Sequence, residues 1–118
     1  MLDTSPLTDA VERFADRLRA APQSRLQRGA AAEALDLARE LALRAQRLED
    51  PSGRAPERVV PDAGIFVVGD QVSVAGLDLA EALGALRDGE GGENAKAPSE
   101  LLDEAVALVE RAEVRAMR

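Results

Sequence analysis

The sequence predicts a mainly α-helical protein, a small bundle of about four helices forming a single domain over residues 1–118. Three observations carry that expectation. Apolar residues recur at three- and four-residue steps across 7–18, 26–48 and 101–117. All six prolines fall outside those three segments. Finally, Ile65-Phe66-Val67-Val68 is the strongest β signal in the chain, and it is short.

Ser5-Pro6 marks the first start, with a hydroxyl at the N-cap and proline at the first helical position. Leu7, Val11, Phe14 and Leu18 then share one face, and Pro22 disfavours helical geometry at Ala21, so the helix should stop near Ala20. Ser24-Arg25-Leu26-Gln27 reads as a capping box opening a second helix from about Arg25 to Glu49. Its stripe is Leu26, Ala30, Ala34, Leu37, Leu41, Ala45 and Leu48, widened on one flank by Leu35, Ala38 and Ala42. Glu40 and Arg44 form a favourably ordered i,i+4 pair, while Gly29 is a weak point costing about 1 kcal/mol relative to alanine.

Residues 51–62, with Pro51, Pro56 and Pro61, read as a Pro-rich extended connector. Two readings of the next stretch stay open. Gly69-Asp70 can be the turn of a β-hairpin near residues 64–75, which would make the fold α+β. Alternatively Asp70 caps a helix running to about Leu86, with Val72, Ala75, Leu79, Leu83 and Leu86 on one face. The helix is preferred, because it explains more residues in one element and leaves no lone hairpin to stabilise. Residues 88–98 read as a mobile acidic loop. Ser99 then caps a last helix whose early acids (Glu100, Asp103, Glu104) and late arginines (Arg111, Arg115, Arg118) suit the helix dipole. One stripe along it is Leu101, Ala105, Leu108 and Ala112, and a second is Leu102, Val106, Val109 and Met117.

Composition removes most routes to catalysis. The chain has no His, Cys, Trp or Tyr, two Phe and one Lys, so it lacks an imidazole, a thiolate and a Cys/His ligand set. Leu, Ile, Val and Phe make up 29 of 118 residues, enough for a core but a thin one, with alanine filling much of the rest. Fourteen Arg to one Lys fits a GC-rich bacterial genome. The first residues show neither a basic region nor an apolar stretch, and no apolar run is long enough to span a bilayer, so a cytoplasmic location is expected without a membrane partner. The net charge of −7 repels polyanions. Asp78–Gly84 resembles the opening helix of a helix-turn-helix, but acids follow where a basic recognition helix should be, so nucleic acid is not an expected partner. Arg13, Arg17, Arg19, Arg25 and Arg28 form a locally positive stretch against Asp16, read first as a solvated helix face and secondly as a surface able to meet an acidic partner or the acidic half of a second copy.

Only carboxylates remain as chemical candidates. Glu33 and Asp36, Glu100 and Asp103, and Glu110 and Glu113 each stand one helical turn apart, a spacing that can hold Mg²⁺ through hard oxygens. In these Glu-x-x-Asp and Glu-x-x-Glu patterns, and in no other part of the chain, the sequence resembles helical nucleotide pyrophosphatases, which implies Mg²⁺-dependent hydrolysis of a nucleotide or another phosphorylated substrate. Arg39, Arg44 and Arg47 stand near Glu33, Asp36 and Glu40, which suits a solvated, salt-bridged face better than a metal cage.

The sequence therefore points to a non-catalytic cytoplasmic protein–protein interaction module, an adaptor or regulator, with homo-oligomerisation as one way to cover its wide apolar flanks. No residue is assigned as catalytic, cofactor-binding or metal-ligating. The alternative is the Mg²⁺-dependent all-α hydrolase. Calorimetric titration with Mg²⁺ and Mn²⁺ separates them: the interaction module gives no saturable heat at millimolar metal, whereas a saturable isotherm would favour the hydrolase.

Overall fold

A computed structural model describes residues 2–87 and 96–118. Its helices are α1 (Ser5–Ala20), α2 (Gln23–Arg25), α3 (Ala31–Glu49), α4 (Val68–Gly84) and α5 (Pro98–Ala116). Residues Leu26–Ala30 join α2 to α3 through a kink at Gly29, so these two form one bent arm and the bundle has four arms. No strand occurs among the described residues. Both α1 and α3 pack against α4 and α5, while α4 and α5 barely touch each other. The Cα envelope is 47 × 29 × 18 Å, two helix layers in its thin direction.

The apolar stripes account for this arrangement. Leu7, Val11, Phe14 and Leu18 are all buried in α1, and Leu26, Ala30, Ala34, Leu37, Leu41 and Ala45 line the second arm; Leu48 is half-buried at its end. In α4 the buried set includes Val72, Ala75, Leu79 and Leu83, the face expected of a helix. The hairpin alternative is thereby set aside, and Gly69 lies buried inside α4 rather than in a turn. Helical pairing wins because this face reaches a core in which Phe14 and Leu41 are wholly enclosed. Along α5 the buried row is Leu102, Ala105, Val109, Ala112 and Ala116, a line drawn from both expected stripes, with Leu101, Val106, Leu108 and Met117 half-buried beside it.

Helix starts differ from the sequence reading. In α1 the acceptor is Asp3 rather than Ser5: its Oδ1 receives the Ser5 backbone N–H at 3.0 Å and the Ser5 hydroxyl at 2.5 Å. The Ser24–Gln27 capping box does not form. Instead the second arm starts behind Pro22, whose carbonyl accepts the Arg25 and Leu26 N–H groups at 3.0 and 3.2 Å. Asp70 sits within the first turn of α4, and that helix ends at Gly84 rather than Leu86. Pro98, not Ser99, opens α5, with Ala97 at the cap position. Most of the acidic stretch read as a mobile loop, residues 88–95, lies outside the described residues.

Two glycines, Gly29 and Gly76, bear directly on how the arms pack. Gly29 has φ 142°, a left-handed conformation that side chains resist, and it is where the second arm kinks. Gly76 faces α1, where an added Cβ would stand 2.5 Å from both methyls of Val11 and 3.0 Å from its Cβ. Rotating Val11 relieves nothing, because a β-branched side chain presents a methyl in either direction. Gly84, by contrast, has only Thr4 Cγ2 at 3.9 Å and ordinary helical geometry.

These two environments have opposite consequences. Gly76→Ala should destabilise by about 1–3 kcal/mol through overpacking, while Gly84→Ala should be neutral or gain up to about 1 kcal/mol. Urea unfolding of the two variants measures the contrast, and equal midpoints would contradict the close α1–α4 approach.

Candidate functional site

The arginines of the positive stretch are turned largely onto the chain's own acceptors. Arg13 and Arg17 stand one turn apart on α1 and converge on Glu113 of α5, Arg13 Nε donating to Oε1 at 3.3 Å and Arg17 Nη1 to Oε2 at 3.1 Å. Glu113 is 7% exposed, and both its oxygens are engaged. Arg19 bridges α1 to α4, with Nη2 2.8 Å from Asp70 Oδ1, and also reaches Asp16 at 3.1 Å. Hydrogen bonding to Asp70 raises the already high Arg19 pKa further. Arg25 Nη1 donates to the Arg118 carbonyl at 3.0 Å, placing a cation at the C-terminal end of α5 where the helix dipole favours it. Arg28 is exposed and has no ion pair among the described residues.

The acidic pairs are not brought together. Glu33 is tied to Arg115 across the α3–α5 seam at 3.0 Å, while Asp36 is exposed. Glu100 and Asp103 are both exposed. Glu110 points to solvent and Glu113 to the core, so the last pair is divided between two environments. Among the described residues no group of three or more His, Cys, Asp or Glu side chains is placed to share a metal ion. The expected Glu40–Arg44 pair forms at 3.0 Å, and Arg44 also approaches Glu104 at 3.9 Å. The Lys96 ammonium bonds to Glu104 and holds its carboxyl below the usual range.

What composition and spacing did not disclose is a groove between α4 and the connector. After α3, Asp50 takes the Ser52 hydroxyl on Oδ1 at 2.5 Å and the Ala55 N–H on Oδ2 at 2.8 Å, which turns the chain back along the helix. Gln46 then grips Arg58 twice: its Oε1 receives the Arg58 N–H at 2.8 Å, and its Nε2 donates to the Arg58 carbonyl at 2.6 Å. Arg39 Nε donates to the Val60 carbonyl at 2.9 Å, and Gln71 Nε2 to the Pro61 carbonyl at 2.8 Å. Side chains of α3 and α4 thus hold the connector through its backbone, and it lies as a strap across both helices.

Beside this strap runs a groove of about 470 Å³. Val60, Pro61 and Ala63 form one wall, Val67, Val74 and Ala75 another, and Asp70, Gln71 and Asp78 supply its polar groups. Gln71 Oε1 is buried without a hydrogen-bond partner among the described residues, a cost of about 1–3 kcal/mol. Val74, which lines the groove, is 61% exposed, and Phe66 and Leu77, next in sequence to the lining residues Val67 and Asp78, are 72% and 44% exposed. A signal for two of them existed in the sequence, since Val74 and Leu77 fall off the buried line of α4. Among the described residues, no helix is long and apolar enough to cross a membrane.

Compared with protein-family models, with curated proteins and with solved structures, the chain matches none.

The α1–α5 clamp separates structural arginines from free ones. Arg17→Glu sets a second carboxylate against enclosed Glu113 and should cost about 1–2 kcal/mol, a figure reduced by the exposure of the guanidinium. Arg28→Glu should stay within about 0.5 kcal/mol of the parent. Thermal melts at one salt concentration compare them, and equal loss in both would contradict the clamp.

Proposed function

We propose that this chain is a non-catalytic protein–protein interaction module, an adaptor or regulator acting in the cytoplasm. The observation that supports the reading best is the groove itself, whose walls are mostly apolar and where Val74 is left exposed, with the exposed Phe66 and Leu77 next in sequence to its lining residues Val67 and Asp78. Scattered exposed apolar residues are ordinary, but exposed apolar side chains at an apolar concavity are the usual form of a contact surface. Phe66 adds an aromatic, the side-chain class enriched in such surfaces, and it is one of only two in the chain.

Charge contributes differently from the sequence expectation. Arg17 and Arg25, which the sequence offers to the acidic half of a second copy, are engaged within their own chain. Reversing them would test folding together with association. The apolar surface can be altered without that ambiguity, because its side chains carry little of the core.

Affinity capture from an extract of the source organism tests the proposal, using the parent chain beside a Phe66→Ser, Val74→Asp double variant. Both positions are exposed, so the variant should melt within about 0.5 kcal/mol of the parent. The expected outcome is a protein retained by the parent and lost by the variant. Identical retained proteins in both lanes would refute the surface as the contact.

A further inference from the structure

The groove, taken as the contact surface proposed above, has an electrostatic character that narrows its occupant. Helix α4 carries Asp70, Asp78 and Glu81 and has no Arg or Lys anywhere along Val68–Gly84. Asp70 is neutralised by Arg19. Asp78 and Glu81 are exposed, and neither has an ion pair among the described residues. The groove-facing positions of α4, Val67 at its cap and then Gln71, Val74, Ala75 and Asp78, follow helical steps over about three turns, a straight trough roughly 16 Å long. An apolar trough beside unneutralised carboxylates is complementary to a helix with aliphatic side chains on one face and cations on its margins.

We infer that the groove binds a cationic amphipathic helix of another protein, with an aliphatic side chain seated between Pro61 and Val74 and its Lys or Arg residues facing Asp78 and Glu81. A second copy of this chain fits less well. The chain carries a net charge of −7, and a two-fold contact through α4 would bring together two helix faces that each carry Asp78 and Glu81 and no Arg or Lys of their own. Four of the five arginines between positions 13 and 28 are already bonded within the chain, so they are not available to offset that repulsion.

The probe is a fluorescein-labelled synthetic peptide with leucines at i, i+3, i+4 and i+7 and lysines elsewhere, read by anisotropy with the full chain. Its counterpart has glutamate in place of every lysine. The lysine peptide should bind saturably and the glutamate peptide should not. Val74→Asp should weaken binding about tenfold or more, and Asp78→Asn with Glu81→Gln roughly fivefold, with a shallower salt dependence. Asp103→Asn with Glu110→Gln, an exposed acidic pair on α5, should leave affinity unchanged. Circular dichroism checks that each variant is folded.

Equal weakening by the α5 pair would mean non-specific charge attraction and overturn the assignment, as would binding of the glutamate peptide. A dimer in sedimentation equilibrium that Val74→Asp dissolves would give the groove to a second copy and overturn it too. Failure of both peptides would also overturn it, yet the contact surface itself would survive if the extract capture still depends on Phe66 and Val74.

Discussion

With alanine supplying so much of its interior, this bundle can fill its core only by bringing helices close together, and the seam between α1 and α4 is where that is most demanding. Val11 occupies the space that a side chain at position 76 would need. The approach puts α4 at the centre of the packing, against α1 on one flank and α3 on the other. It also fixes which side of α4 remains for solvent.

Polar contacts follow from the same packing. Glu113 is enclosed by the approach of α5 to α1, and a carboxylate taken from water needs partners of opposite charge. Arg13 and Arg17 supply them from one helical turn. Removing one partner of an enclosed pair costs more than the pair contributes, so the clamp acts mainly by making other helix rotations unfavourable. The surface left over is correspondingly asymmetric. Arginines near α1 are consumed internally, whereas the carboxylates at the far side of α4 are not.

Local pattern revealed the helices, because burial of a stripe is a property of spacing alone. Leu7, Val11, Phe14 and Leu18 are enclosed as their spacing requires, and Ala21 before Pro22 ends α1 at Ala20. Start signals were less readable. Ser5, Ser24 and Ser99 each had the right residue type, yet Thr4, Pro22 and Ala97 hold the cap positions, with Asp3 accepting from Ser5. A side-chain cap competes with backbone geometry that one-residue shifts can satisfy equally well, so type alone does not settle it. The groove was illegible for another reason. Its strap is held by Gln46, Arg39 and Gln71 through carbonyl and N–H groups of distant residues, contacts that carry no trace in side-chain identity. Glu113 was likewise indistinguishable from Glu110 by composition, although it adjoins Ala112 on the enclosed row of α5.

The kink at Gly29 bends the second arm instead of letting it run straight. A residue with φ 142° leaves helical geometry, so the turns before it and α3 after it need not share an axis. Leu26 and Ala30, on either side of it, are both enclosed, and Arg25 in the leading turn reaches the Arg118 carbonyl beyond α5. A side chain at position 29 would resist that backbone, so the bend works as a fixed elbow: the leading turn meets α5 while α3 lies chiefly along α4.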